Sequence, residues 1–556
     1  MSQTTNQNAT YRHLMPKIED WPVAKFSKDR HNFISELNEF VFKNLLKSNS
    51  HSLNDLLSRS IYMEMQRTKN TPWKVDPPGE RKYWKDLSIE LEKSTEREDK
   101  EEVEVAILKK IINRYNEEIV GTFNPKHFRF SRIFLTSFFK RLFNTYFGGY
   151  WRWGTKNTLS QKIKIMGNLD LIRSLFDRGT VVVVPTHYSN LDSIMVGYAI
   201  DTNTGMPAFS YGAGLNLYNV EIVAYFMNRL GAFRVDRRKK NPIYLECLTS
   251  MSSLSLTRGV NSIFFPGGTR SRSGKTEEKV KLGLISSVVE AQRLLLDQKS
   301  EKKIFVVPLN LGYHFVLEAS QLIDQHLQTI DREKFIKRPS QPISFKNVIR
   351  FLKAMFVTDS EVYASFGEPV DVFGNKVDES GISYDKFDKE VKVSDYFLSN
   401  GVITSNAQRE SIYAKNLGEA IVQAYKTHNP ILSSNIAAFT AFHLIYIRER
   451  ENGLIHLINQ NTTKFEIPLE EFYDAAKKVV DVLLEQKQHL TFSFEPWQEP
   501  KTIADLGIKK LGAYHFEKIL KIKDNILICN NIQILYYYHN RLSNYDIEKQ
   551  LGWEIV

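Results

Sequence analysis

Between residues 155 and 375 the sequence alternates short apolar runs with longer segments of helical periodicity, and this alternation restricts the fold more than any other feature. It predicts an α/β domain with a mixed, mainly parallel sheet flanked by helices. The predicted strands are Val181–Val184, Ala208–Tyr211, Ala232–Val235, Asn261–Phe265 and Ile304–Leu311. The predicted helices between them are Leu191–Ile200, Glu221–Leu230, Ile243–Arg258 and Val280–Leu296. In a sheet of this kind the functional loops gather at the carboxyl ends of the strands.

The regions on either side of this domain are predicted to be helical. Residues 1–125 form an N-terminal helical region, with apolar residues at helical spacing in Asn32–Leu46. Residues 400–556 form a C-terminal, mostly helical region, with apolar stretches at Ile436–Ile447 and Ile526–Tyr538. The second stretch has some strand character. The residues of this region indicate no chemistry of their own.

Composition excludes several classes of protein. The 556 residues include only two cysteines, Cys247 and Cys529, which excludes a disulfide framework and is typical of a reducing compartment. The amino terminus lacks the pattern of a secretory signal. We expect no membrane-spanning helix, because no run of about 18 uncharged apolar residues occurs. The formal net charge of +11 suits nucleic acid, anionic lipid or small phosphorylated ligands equally.

A segment rich in both aromatic and basic residues precedes the α/β domain. In residues 127–153, Phe, Tyr and Trp alternate with Arg and Lys, as in helices that lie in the lipid headgroup layer. The same composition also suits a buried packing helix whose cations reach solvent. It can bind single-stranded nucleic acid as well, but no nucleic-acid motif accompanies it. We predict that residues 126–154 dock on a membrane surface with anionic lipid as the partner, and we expect no nucleic-acid partner.

A histidine and an aspartate follow the most strongly β-branched run of the chain. Val181–Val184 reads as a buried strand and ends at Pro185; His187 comes next, and Asp192 lies five residues after it. An imidazole accepts a proton near neutral pH, since its ordinary pKa is about 6.5. A carboxylate at its other nitrogen would hold the tautomer. The pair therefore predicts a general base, His187, oriented by Asp192 and acting on a hydroxyl.

Ser189 raises the alternative of a serine hydrolase, because a serine close to a histidine can be a nucleophile. No Gly-x-Ser-x-Gly elbow surrounds it, however. Ser189 and Asn190 are better interpreted as the cap of the helix that follows.

The run Phe264–Lys275 carries a second strand into a glycine-rich, cationic turn. Glycine lets a backbone approach a ligand closely, exposed N–H groups in such a turn bind anions, and arginine binds phosphate with two donors. The predicted phosphate-binding residues are Arg237, Gly267, Gly268, Thr269, Arg270 and Arg272. Arg234 and Lys275 are further candidates, although a lysine beyond the turn can equally be solvated.

Four ordered segments together resemble the glycerolipid acyltransferase superfamily. The first is a histidine followed by four residues and an aspartate (the HX4D motif). In this chain the four blocks are His187-Tyr-Ser-Asn-Leu-Asp192, Gly231-Ala-Phe-Arg-Val-Asp-Arg237, Phe265-Pro-Gly-Gly-Thr-Arg-Ser271 and Val306-Val-Pro-Leu309. Three further segments are most similar to the glycerol-3-phosphate acyltransferase branch. They are Gly214-Leu-Asn-Leu217, Arg270-Ser-Arg-Ser-Gly-Lys275 and Gly312-Tyr-His-Phe-Val-Leu-Glu318.

The resemblance implies an enzyme of early phospholipid synthesis that moves an acyl group from acyl-CoA or acyl-carrier protein to a hydroxyl of sn-glycerol 3-phosphate. It implies no metal at the site and no cofactor, because the thioester already contains a good leaving group. It also implies a peripheral or monotopic protein on the cytoplasmic face of a membrane. The alternative acceptor is 1-acylglycerol 3-phosphate.

Two positions depart from the family pattern. The third block of the family usually has glutamate where this chain has Gly267, and Arg234 stands where an apolar residue is common. The loss of that carboxylate motivates a third alternative, an inactive lipid-binding protein that retains the fold.

Overall fold

The structure is a computed structural model with a seven-stranded sheet at its centre. It describes residues 11–48, 52–142, 162–215, 221–330, 360–460, 463–488, 490, 499–515 and 517–553. Each of the four predicted regions falls partly outside these ranges, and so does one of the segments that carry the resemblance. The residues outside include 143–154 of the membrane-docking segment and 216–217 of the Gly214–Leu217 segment.

The central sheet is mixed and mainly parallel, as predicted. Its strands are β1 (Ile163–Met166), β2 (Gly179–Pro185), β3 (Ser210–Gly214), β4 (Ala232–Val235), β5 (Ser262–Ile263), β6 (Lys303–Tyr313) and β7 (Val362–Phe366). They lie in the order β1-β7-β6-β2-β5-β3-β4. The five strands from β6 to β4 run parallel to one another, whereas β7 is antiparallel to β6 and parallel to β1.

Strand β2 lies in the middle of this sheet because its valines can be buried on both faces. It pairs with β6 along its whole length, from Gly179 opposite Lys303 to Pro185 opposite Leu309. Val181 and Val183 pack into one apolar cluster, and Val182 and Val184 pack into another on the opposite face. Such burial on both sides is typical of a parallel strand flanked by helices.

All five predicted strands and all four predicted helices of this domain are present, with shifted ends. The helices associated with the sheet are α7 (Leu169–Ser174), α8 (Leu191–Thr202), α9 (Glu221–Met227), α10 (Pro242–Thr257), α11 (Leu282–Asp297) and α12 (Ala319–Ile330). Strands β1 and β7 were not predicted. Each has only four or five residues, too few for its pattern to stand out from the surrounding sequence.

The N-terminal region is helical, as predicted. Its helices are α1 (Pro22–Lys28), α2 (Arg30–Ser48), α3 (Leu53–Asn70), α4 (Glu80–Ser94), α5 (Lys100–Ile119) and α6 (Pro125–Leu142). Buried Trp84 and Tyr115 share an apolar cluster with Tyr244 of α10. Arg238, directly after the second block, donates to Asp236 and to Asp76 between α3 and α4. The N-terminal helices are thus bound to the end of β4.

The C-terminal region contains helices and a small antiparallel sheet. The helices are α13 (Ala407–Thr427), α14 (Ser433–Glu449), α15 (Gly453–Asn459), α16 (Leu469–Glu485), α17 (Pro500–Lys510), α18 (Ile532–His539) and α19 (Ile547–Leu551). Short strands precede α13, namely β8 (Lys376–Val377), β9 (Ser383–Tyr384), β10 (Glu390–Val391), β11 (Leu398–Ser399) and β12 (Val402–Ile403). The sheet of this region consists of β13 (Phe465–Pro468), β14 (Leu520–Lys523) and β15 (Ile526–Cys529). The stretch Ile526–Tyr538 therefore begins as a strand and continues as a helix.

Within the described ranges, no helix is both long enough and apolar enough to cross a membrane. Helix α6, the described part of the aromatic and basic segment, instead packs against the α/β domain along one side. Phe139 is fully buried there, and Arg132 forms an ion pair with Asp201 of α8. The boundaries predicted for the four regions stay predictions.

Candidate functional site

His187 lies just beyond the carboxyl end of β2 and is bound to Asp192 in the first turn of α8. The His187 Nδ1 and Asp192 Oδ2 atoms are 2.9 Å apart. The Asp192 side chain is fully buried, whereas that of His187 retains 15% of its exposure. With Nδ1 engaged, Nε2 is the ring nitrogen left for a substrate hydroxyl.

Backbone donors hold the Asp192 carboxylate in place. The same Oδ2 atom accepts hydrogen bonds from the backbone N–H groups of Tyr188, at 2.5 Å, and Ser189, at 2.8 Å. Because an ionised carboxylate only accepts hydrogen bonds, His187 Nδ1 must be the donor in the contact between the two side chains. This arrangement favours the tautomer in which Nε2 carries the lone pair, as a general base requires.

The glycine-rich turn of the third block meets this histidine directly. The backbone N–H of Ser271 donates to the backbone oxygen of His187 at 2.8 Å. The rings of Phe265 and His187 pack with their centroids 4.3 Å apart. Gly268 has a φ of +76°, which glycine adopts far more readily than other residues. The structure thus brings the first and third blocks together.

Arg270 on this turn lies close enough to Arg237, at the end of β4, for their charges to interact. The pKa of Arg237 is lowered, first by partial burial and second by the positive charge of Arg270. Arg270 in turn lies 3.5 Å from Glu318, measured from Nη1 to Oε1. An anion between two neighbouring guanidinium groups would offset their repulsion, so the pair is suited to phosphate.

The remaining predicted cations occupy the edges of the site. Arg272 and Lys275 are exposed on the turn. The pKa of His326 on α12 is lowered first by burial and then by the positive charges of Lys275 and Arg272. Arg234 donates to Oδ1 of Asn228, with the shorter contact at 2.7 Å. Thr269 is exposed in the turn. The functions assigned to these residues stay predictions.

Ser189 bonds to a carboxylate instead of the histidine. Its Oγ donates to Glu318 Oε2 at 2.9 Å, and it accepts from the backbone N–H of Leu191 at 3.2 Å. Ser189 therefore caps α8 as predicted, and this geometry disfavours a Ser–His nucleophile pair. Asn190 occupies the N-cap position of α8, as predicted, but its side chain makes no capping bond. Its backbone N–H donates to Glu318 Oε1 instead.

Sequence reasoning missed two acidic residues at this site. Glu318 belongs to one of the segments that carried the resemblance, but no function had been assigned to it. Glu277 follows Gly267 by ten residues and had not been singled out. Its Oε1 accepts a hydrogen bond from the backbone N–H of His187 at 2.9 Å. Its Oε2 is buried and has no hydrogen-bond partner among the described residues. Burial raises the pKa of Glu277 to about 7.

The C-terminal region also reaches this site, which its sequence did not indicate. The guanidinium carbon of Arg541 lies 3.0 Å from the centroid of the Tyr188 ring, and burial raises the pKa of Tyr188 to about 12. Asn540 donates from Nδ2 to the backbone oxygen of Ser273 at 2.8 Å. The third-block turn is thus enclosed between the sheet and α18.

One group of side chains among the described residues could hold a metal ion, and it lies in the C-terminal region: His443, His539 and Glu548. Asn540 Nδ2 donates to Ser273, so its Oδ1 accepts from His539 Nδ1 at 3.0 Å. His539 Nε2 then accepts from His443 Nε2 at 2.9 Å. This hydrogen bond already satisfies the two facing nitrogens, and we assign the group no part in the site at His187.

Comparison with known proteins supports the resemblance. Residues 163–312, a range that contains all four blocks, match the family model described as Acyltransferase. A glycerol-3-phosphate acyltransferase of Pseudomonas putida strain W619 is 25% identical over 280 residues, which are 50% of this chain and 30% of the relative. The same-named protein of Pseudomonas aeruginosa strain PAO1 is 25% identical over 258 residues, 46% of this chain and 27% of the relative.

The matched part of the chain therefore spans less than a third of the length of these relatives. The resemblance to this family is confirmed for the part of the chain that the family model matches. The family model lies within the α/β domain predicted for residues 155–375.

The buried carboxylate of Glu277 should be visible in the pH dependence of stability. Its pKa is about 7 in the folded protein against an ordinary value of 4.5, so between these pH values the folded state retains a proton that the unfolded chain has lost. The contribution of this group to the free energy of unfolding therefore falls as the pH rises from about 4.5 to about 7.

We expect the free energy of unfolding of the wild type, minus that of Glu277→Gln, to decrease across this window by on the order of 3 kcal/mol. Urea denaturation at constant ionic strength measures it. The matched control is Glu278→Gln, which changes an exposed neighbour. A difference for Glu277→Gln that does not change with pH would contradict this account of the carboxylate.

Proposed function

We propose that this chain, whose α/β domain is most like those of the glycerol-3-phosphate acyltransferases, transfers a fatty acyl group to a hydroxyl of sn-glycerol 3-phosphate. The acyl donor is a thioester, acyl-CoA or acyl-carrier protein, and the reaction is an early step of phospholipid synthesis. The main support is the bond between His187 and Asp192 directly beside the turn that carries Arg270, whose charge acts on Arg237 at the end of β4. The names of the two relatives, both glycerol-3-phosphate acyltransferases, agree with this acceptor.

The proposed chemistry begins with removal of a proton from the acceptor hydroxyl by His187 Nε2. The hydroxyl oxygen attacks the thioester carbonyl as the proton leaves, and Asp192 stabilises the imidazolium that forms. Collapse of the tetrahedral intermediate breaks the carbon–sulfur bond, and the imidazolium returns a proton to the departing thiolate. General-base assistance of this kind contributes roughly 10²- to 10⁴-fold. No acyl-enzyme is required.

The proposed acceptor site uses positive charge to distinguish a phosphorylated alcohol from a neutral one. Arg237 and Arg270 would bind the phosphate, together with the backbone N–H groups of Gly267 and Thr269 in the turn. The N–H of Gly268 already donates to the backbone oxygen of Phe265 at 3.0 Å, so the predicted contribution of Gly268 is to the shape of the turn. Glu318 would orient Arg270, since its carboxylate lies 3.5 Å from that guanidinium. The intact pair of His187 and Asp192 disfavours the alternative of an inactive lipid-binding protein.

Helix α6 supports the proposal that the protein acts at a membrane surface. Phe130, Ile133 and Phe134 are 57%, 71% and 60% exposed, at spacings that place them on one side of the helix. The opposite side is anchored to the α/β domain by Phe139. Three large exposed apolar side chains on a basic helix suit insertion among anionic headgroups. We therefore propose peripheral association with the cytoplasmic face of a membrane.

Replacement of the base should abolish acyl transfer without unfolding the protein. We expect His187→Ala to lower kcat by about 10²- to 10⁴-fold, measured with radiolabelled sn-glycerol 3-phosphate and both donor types. His456→Ala, an exposed histidine on α15, is the matched control and should retain activity. Undiminished transfer by a folded His187→Ala variant would refute the assignment. A preference of the wild type for 1-acylglycerol 3-phosphate would instead favour the alternative acceptor.

Loss of a phosphate-binding arginine should affect the acceptor more than the donor. We expect Arg270→Ala to raise the KM for sn-glycerol 3-phosphate by about 10- to 100-fold, the range for a hydrogen bond to a charged group. The KM for the acyl donor should change little. Arg59→Ala, an exposed arginine on α3, serves as the control. Equal increases in both KM values would show that Arg270 does not bind the acceptor phosphate.

Membrane association should depend on the exposed side of α6. We expect the wild type to co-sediment with vesicles that contain anionic lipid and to dissociate as salt concentration rises. The double variant Ile133→Ser, Phe134→Ser should bind several-fold more weakly. Phe387→Ser removes a phenylalanine that is 78% exposed elsewhere and should bind like the wild type. If the double variant binds as tightly as the wild type, α6 is not the docking surface.

A further inference from the structure

Gly267 leaves a space next to the candidate base, and the side chain of Glu277 fills it. An ideal Cβ atom on Gly267 would lie 3.0 Å from both Cγ and Oε1 of Glu277, tighter than ordinary van der Waals contact. Gly267 is not among the glycines with a positive φ, in contrast to Gly268. Its backbone conformation is therefore open to other residues, and Glu277 is what restricts a side chain at this position.

The Glu277 carboxylate also holds the backbone of the candidate base. Its Oε1 accepts from the N–H of His187 at 2.9 Å. The backbone oxygen of His187 accepts a hydrogen bond from the backbone N–H of Ser271 in the third block. The N–H and the C=O of His187 are therefore both bound to residues between Ser271 and Glu277. Although Glu277 is partly exposed as a residue, its Oε2 is out of contact with solvent. A carboxylate in such a place costs free energy unless its interactions compensate.

A second buried group accompanies this carboxylate. Arg541 packs on the ring of Tyr188, the residue after the base, and its Nη1 is buried without a hydrogen-bond partner among the described residues. The Tyr188 hydroxyl donates to Thr276 Oγ1 at 3.1 Å, directly beside Glu277. The positive charge of Arg541 favours the ionised form of Glu277. Glu277 of the α/β domain and Arg541 of the C-terminal region thus contact two adjacent residues, His187 and Tyr188.

We propose that Glu277 is a positioning residue for His187, and that positions 267 and 277 are alternative sources of one carboxylate beneath the base. The inference rests on the proposed function. It accounts for the departure at Gly267: the carboxylate is supplied from ten residues further along the chain, and glycine at 267 makes room for it. Glu277 orients His187 through the backbone and does not contact the substrate.

Moving the carboxylate between the two positions tests the proposal. Glu277→Ala should lower kcat at least tenfold and leave the KM for the acyl donor unchanged, because His187 loses the acceptor for its N–H. Gly267→Glu should also be impaired, since two side chains then compete for one space. The double variant G267E/E277A should recover kcat to within a few fold of the wild type. G267E/E278A, which keeps Glu277, is the matched control and should stay impaired.

Hydrogen exchange gives a readout that does not depend on activity. The His187 amide should exchange faster in Glu277→Ala and regain protection in G267E/E277A, as followed by mass spectrometry of peptides that cover the base. If Glu277→Ala does not fold, Glu277→Gln keeps the size and one acceptor and should retain part of kcat and of the protection.

The outcomes separate this inference from the proposed function. A wild type that acylates neither acceptor refutes the function, and the exchange data then decide on Glu277 alone. Full kcat and unchanged His187 protection in the folded Glu277 variants would overturn the positioning assignment. A folded double variant that is no more active and no better protected than the single variants would overturn the equivalence of the two positions.

Discussion

Two hydrogen bonds to the backbone of His187 hold the candidate site together. The peptide N–H donates to Glu277, and the peptide oxygen accepts from Ser271, at 2.9 and 2.8 Å. Ser271 and Glu277 both belong to residues 267–277, the segment that also contains Arg270 and Arg272. The base therefore cannot shift relative to the cationic turn without loss of these bonds. A reaction that must align a hydroxyl with a base while its phosphate is held elsewhere on the acceptor depends on this rigidity.

Much of the α/β domain could be predicted from the sequence, because its signals are local. The β-branched run of β2 and the block at His187 and Asp192 each lie within a few residues. The long-range partners could not be predicted in this way. Nothing near Arg541 in sequence indicates that it packs on Tyr188, and a glutamate ten residues after Gly267 resembles any solvated acidic residue. Only tertiary packing brings such groups beneath the base.

The C-terminal region contacts the segment after the third block, although its sequence indicated no chemistry. Gly274 has a φ of +86°, and a Cβ there would lie only 2.0 Å from the backbone oxygen of Tyr537. The turn thus approaches α18 so closely that only glycine fits. Together with the bond from Asn540 to Ser273, this contact holds the segment that follows the third block against α18. The C-terminal region thus contacts the segment that carries Arg270 and Arg272.

The proposed membrane surface is linked to the second block through α9. Phe130 of α6 stacks on Phe226 of α9, with ring centroids 5.8 Å apart, and the same helix is followed by Asn228, which binds Arg234. A helix that inserts exposed aromatic side chains into a headgroup layer would thereby hold the end of β4, where Arg237 lies, close to that layer. An acyl chain is delivered and released most readily in an apolar phase, whereas a phosphorylated acceptor arrives from water. A site at the carboxyl ends of the strands, beside the helix that we propose docks on the membrane, would let one protein meet both requirements.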